Sequence, residues 1–193
     1  EALGAFTEAD AVLEFSFIDT VKAAGHACPT VTGAFLCCQS ALEALYDADE
    51  KPLRGEIGVT GNGEPDGSAL GVMAQVFTFL TGAAPLTGFK GLGPSYKRKD
   101  LLSFEPKKID DKAVCFRFER LDSGRAVIVK FYPWLVAFSE EKAGRLAASM
   151  QQVASGQADE AQRDEFQELW AEKIRVMIIE RKEIETRMKV EDA

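Results

Sequence analysis

The chain has 193 residues, room for one generous domain or one domain with a helical appendage. Acidic residues outnumber basic ones by 31 to 23, and the resulting net charge of −8 repels polyanions. The only basic cluster, Lys97-Arg98-Lys99, is already partly matched by Asp100, so neither nucleic acid nor an anionic membrane surface is an expected partner.

The first predicted element is a helix from Thr7 to Ala24, with Val12, Leu13, Phe15, Phe17, Ile18 and Val21 as its apolar positions. Glu8 and Asp10 suit its positive end, and Gly25 stops it. Gly25-His26-Ala27-Cys28-Pro29 then reads as a turn, with Pro29 at the first position of a second helix that runs to about Tyr46. Val31, Phe35, Cys38, Leu42 and Leu45 give that helix one buried stripe.

A strand is expected over Leu53–Thr60, followed by a loop of turn formers from Gly61 to Gly67. No charged residue occurs between Gly67 and Phe89, but Gly82, Pro85 and Gly88 prevent a long helix there. Ser68–Leu80 is therefore expected as a buried core helix, its small residues Ala69, Gly71 and Ala74 allowing close packing on a sheet.

Leu86–Asp100 is a glycine-containing loop carrying Lys90 and Tyr96. Three strand-like runs follow, Leu101–Lys107, Ala113–Glu119 and Arg125–Tyr132, the last two joined by a hairpin signal at Leu121-Asp122-Ser123-Gly124. Helices are expected over Ser139–Val153 and Asp159–Lys189. The second carries Trp170, Ile174, Met177, Arg181, Ile184 and Met188 at steps of four and three. Such a seam packs along the body of the domain or pairs with a second copy of the chain, and a homodimer is expected on that ground.

Four cysteines are present, Cys28, Cys37, Cys38 and Cys115. Two are adjacent and the chain can bury a core unaided, so no disulfide framework is expected. Free thiols point to a reducing compartment. With no basic-then-apolar leader at Glu1, a cytoplasmic location is the expectation.

The sharpest chemical feature is His26-x-Cys28-Pro29. In an extended segment, residues two apart face the same side. An imidazole nitrogen and a sulfur could then share one ion, at about 2.0–2.1 Å and about 2.3 Å for zinc. Cys28 also precedes a helix N-terminus, where exposed N–H groups favour the thiolate form that metals bind. His26 is the chain's one histidine.

The plainer reading is that His26 caps the first helix and Cys28 fills a small buried position. Two ligands are too few for a structural zinc site, which usually has four. Candidate further ligands are Glu64 and Asp66, Cys37 or Cys38, and a residue from a second subunit. Cys38 falls on the apolar stripe, and Cys37 would lie about 13 Å along the helix from Cys28 at about 1.5 Å per residue.

Gly25-His26-Ala27-Cys28-Pro29, with Gly33 and a helix after it, resembles the signature of the FmdE family, a family named for one component of formylmethanofuran dehydrogenase. The order of elements is similar too, including a helix ending in Thr81-Gly82 and the loop at Lys90-Gly91; the similarity spans about Asp19 to Pro133.

The resemblance implies an α+β domain with a mixed sheet. The chain is accordingly expected to divide into that domain, over residues 1–135, and a C-terminal helical extension over 136–193 that packs on the core or on a second subunit. It also implies frequent dimers and a metal at the His-x-Cys turn: zinc, or another divalent transition metal such as nickel or iron. Family members often carry a cysteine early in the helix after the turn-rich loop and another directly after Thr-Gly. Here those places hold Ser68 or Val72, and Ala83. Oxygen ligands, water or an open position would then complete the shell.

Two functions compete. One is a metal-binding accessory or regulatory protein, related to a component of a molybdenum or tungsten formylmethanofuran dehydrogenase but without its catalytic centre. The other is a small enzyme whose open metal position acts as a Lewis acid, with Lys90 and Tyr96 binding a small anionic substrate. A metal-free thiol enzyme, with His26 activating Cys28, ranks last, because residues two apart seldom make a nucleophile–base hydrogen bond.

Overall fold

A computed structural model describes residues 12–67, 69–133, 138–180 and 188–193. Helix α1 (Phe17–Ala24) begins at a capping box: the Ser16 hydroxyl accepts the Asp19 N–H at 3.3 Å, and the Asp19 carboxylate accepts the Ser16 N–H at 3.0 Å. This box replaces the start expected at Thr7. Val12–Phe15 precede the helix as irregular chain, while Thr7–Ala11 lie outside the described residues. Gly25 closes α1 in the left-handed region at φ 77°, as its lack of a side chain allows.

Helix α2 (Pro29–Leu45) has Pro29 in its first turn and buries Val31, Ala34, Cys38, Ala41 and Leu45 at steps of three and four. Strand β1 (Ile57–Asn62) starts later than expected and takes in Gly61 and Asn62, which the sequence places in the loop. The reason is contact across the sheet. A Cβ at Gly61 would fall 2.8 Å from the Phe104 ring, so glycine here makes room for an aromatic side chain.

Helix α3 (Leu70–Thr81) is the buried core helix. Phe77 meets Phe116 and Phe118 edge-on, with ring centroids 4.7 and 5.0 Å away. The close approach at Gly71 is to the Pro65 carbonyl, where a Cβ would come within 2.6 Å, and not to the sheet.

The remaining elements are a short hairpin, β2 (Gly91–Leu92) and β3 (Tyr96–Lys97), then β4 (Leu102–Glu105), β5 (Val114–Arg120), β6 (Ala126–Phe131), α4 (Glu140–Ala154), α5 (Glu160–Ile179) and β7 (Met188–Asp192). Five strands form one sheet in the order β4-β1-β5-β6-β7; β1 and β4 are parallel and the other pairs antiparallel. The fold is α+β with a mixed sheet. Among the described residues no helix is long and apolar enough to cross a membrane.

The C-terminal segment departs from expectation. The helix predicted through Lys189 ends at Ile179, and Met188–Asp192 is a strand on the edge of β6, with Val129 opposite Val190 and Phe131 opposite Met188. An edge strand offers unpaired backbone groups, and β7 takes up those of β6. Of the expected seam, Ile174, Met177 and Met188 are buried and Trp170 is partly buried. Arg181 and Ile184 lie outside the described residues. Helix α5 packs on α2, so the part of the seam that lies on α5 among the described residues rests against its own chain.

Three contacts fix the direction of the helices. Arg120, opposite Ile57 at the start of β1, donates to the Leu45 carbonyl at the end of α2 (3.2 Å). Gly55 donates its N–H to the Thr81 carbonyl at the end of α3 (2.8 Å). Gly33, early in α2, lies against Phe131 at the end of β6, a strand that runs parallel to β1. Both helices therefore end beside the start of β1 and begin at the far end of the sheet.

Candidate metal centre

The turn between α1 and α2 is held by bonds to the Ala24, Ala27 and Cys28 carbonyls. His26 is exposed, and its Nδ1 lies 3.1 Å from the Ala24 carbonyl oxygen. A carbonyl can only accept, so this bond needs a proton on Nδ1 and leaves Nε2 as the ring nitrogen that would face a metal. The Ala27 carbonyl accepts the indole N–H of Trp170 at 2.8 Å. The Cys28 carbonyl accepts the Thr32 N–H at 2.9 Å and the Thr32 hydroxyl at 2.8 Å.

Cys28 is the N-cap of α2, extended at φ −144° and ψ 165°, and its Sγ accepts the Val31 N–H at 3.4 Å. A sulfur thus takes the place usually filled by the oxygen of Ser, Thr, Asp or Asn. The thiol is half-buried, against the apolar core on one side. The plainer reading of the turn is therefore partly realised: His26 does bond to the last turn of α1. That bond and metal ligation are compatible, because ligating histidines characteristically donate their other ring N–H to a carbonyl or carboxylate.

The other cysteines are different in kind. Cys37, Cys38 and Cys115 are buried. Burial pushes the Cys38 thiol up to about 12 and, with Asp110 as a second cause, that of Cys115 up to about 11. Cys37 rises well above the ordinary value through burial and its neighbour Cys38. These thiols stay protonated and belong to the core.

Glu64 and Asp66 are exposed in the loop that enters α3, a loop closed by a bond from the Gly67 N–H to the Glu64 carbonyl (2.8 Å). They share the end of the sheet at which α2 and α3 begin. Val72, in the first turn of α3, is exposed at that end too. Among the described residues, however, no three His, Cys, Asp or Glu side chains are grouped to hold one ion. His26 and Cys28 are therefore at most two of the ligands an ion would need, and no closed four-ligand site is present among the described residues.

Lys90 and Tyr96 lie elsewhere. They belong to the exposed β2–β3 hairpin and its approach, which are tied to the C-terminal end of α3 by the bond from Arg98 Nε to the Gly82 carbonyl (2.8 Å). Helix α3 spans roughly 18 Å at about 1.5 Å per residue, so this loop and the His26–Cys28 turn occupy opposite ends of the domain. Ala83 sits at the loop's end, fully buried. Sequence reasoning did not identify Trp170 as part of the turn. Its one signal was an indole N–H in a mostly buried seam, which needs a partner.

No family model matches the chain, and no curated protein matches it.

Proposed function

We propose that the chain is a metal-binding protein of the FmdE kind. It holds a divalent transition metal, zinc in the first instance, at His26 and Cys28. Its role is accessory or regulatory, without a molybdenum or tungsten centre of its own. The observation that carries the reading is the bond from His26 Nδ1 to the Ala24 carbonyl, which leaves Nε2 as a free donor two residues from a cysteine at a helix N-terminus.

With two protein ligands, water completes the shell, or Glu64 and Asp66 close in from the neighbouring loop, or a second copy of the chain contributes. The last arrangement is the ground on which we propose a homodimer. A small metal-dependent enzyme acting through Lys90 and Tyr96 is the weaker reading, because those residues are at the other end of α3. Cobalt(II) titration of the native chain and of a His26→Ala/Cys28→Ser variant tests the proposal: a thiolate-to-cobalt absorption band in the native chain alone supports it, and no band in either contradicts it.

A further inference from the structure

We infer that the open edge of β7 pairs with β7 of a second copy of the chain, antiparallel and centred on Val190, so that two five-stranded sheets join into one. The inference does not rest on the metal reading of His26 and Cys28.

Strand β7 stands at one end of the sheet, with β6 on one side and no described strand on the other. Two bonds fix the direction of its backbone groups. The Arg120 N–H donates to the Arg125 carbonyl across the β5–β6 hairpin, and the Ala193 N–H donates to the Ala126 carbonyl of β6. Along an antiparallel strand these groups alternate from side to side. Lys189 and Glu191 therefore turn theirs toward β6. Met188, Val190 and Asp192 turn theirs outward, where no described residue bonds them. Lys189–Asp192 are exposed, and such an edge is a template for another strand.

The side chains select the partner and the register. A two-fold axis through the sheet keeps each side chain on its own face only if the pairing is centred on one residue. Centred on Lys189 or Glu191, it sets lysine opposite lysine or glutamate opposite glutamate; Met188 and Asp192 as centres leave most of the strand unpaired. Centred on Val190, it sets Val190 against itself and matches the outward groups of Met188 with those of Asp192. Lys189 then faces Glu191 of the second copy, at two places. In its own sheet Lys189 faces Lys130, whose carboxylate partner is Glu191 at 2.6 Å. The Glu191 side chain is still 47% exposed beside that bond, open to a second cation. Charge on an edge strand commonly repels other strands. Here the signs are complementary about Val190 and specify a second copy.

The test is sedimentation, with a chelator present and over a range of concentrations, of the native chain, Lys189→Glu, Glu191→Lys and an equal mixture of the two variants, each shown folded by circular dichroism. The native chain is expected to dimerise. Either variant alone opposes like charges at both places and should dimerise at least about 10-fold more weakly. The mixture restores opposite charges and should recover native pairing. Val190→Pro removes an outward N–H, leaves the ladder to β6 intact and should stay monomeric. A native chain monomeric throughout, variants that pair as it does, or a mixture that pairs no better than its components would overturn the inference. The metal reading is judged separately, by the metal content of the same chain.

Discussion

Gly33 lies so close to Phe131 that a Cβ on it would fall 2.4 Å from the ring's Cζ. The glycine of the signature is thus explained by packing: it lets the first turns of α2 rest on the end of β6, which sets the α2 N-terminus, and Cys28 with it, at that edge of the sheet. Gly33→Ala should overpack this contact and destabilise the fold by about 1–3 kcal/mol. Thermal unfolding measures it. An unchanged midpoint would mean that the ring moves aside freely.

A second prediction concerns acid. Arg120 stacks over the Tyr46 ring at 4.1 Å and binds Glu50 at 2.8 Å and Asp122 at 2.7 Å. Its hydrogen bond holds the Asp122 carboxyl at about 2 and keeps that of Glu50 below the usual range. Both folded-state values are depressed, so this stabilisation is complete above the unfolded carboxylate range, about 3.9–4.3, and is lost as pH falls toward about 2. The unfolding midpoint should drop between about pH 5 and about pH 2.5, on the order of the window just given. Arg120→Ala should lower the midpoint at neutral pH and shrink that drop. A variant with the native acid profile would show that the cluster contributes nothing.

Thiol reactivity separates Cys28 from the rest. Cys37, Cys38 and Cys115 are buried, whereas Cys28 is half-exposed. With a disulfide reagent, the folded metal-free chain should show one fast thiol, removed by Cys28→Ser, and three that react only on unfolding. Bound zinc should slow the fast one. Two or more fast thiols would contradict the burial of the core cysteines.

Much of the fold is legible from local chemistry. Pro29 at a helix start, the buried positions Val31, Cys38 and Leu45, and the turn at Leu121–Gly124 each act within a few residues. What is not legible depends on distant partners. Gly61 is a strand residue because Phe104 and Phe116 flank it, and a glycine among turn formers does not announce that. Lys189–Asp192 continues a charged, helix-like pattern, and only the open edge of β6 draws it into a strand. The same holds at the candidate site. His26 and Cys28 are conspicuous in sequence, but the Trp170 contact that secures the turn between them spans 143 residues. Chemistry alone links Lys90 and Tyr96 to the site, and the length of α3 separates them from it.

The most direct measurement is metal content, by mass spectrometry, of untagged native protein and of the His26→Ala/Cys28→Ser variant. Near-stoichiometric zinc, or nickel or iron, is expected in the native chain, with its loss in the variant while the fold is retained. No metal in either protein after all three have been supplied would contradict the metal reading, and would leave the turn as a cap between two helices.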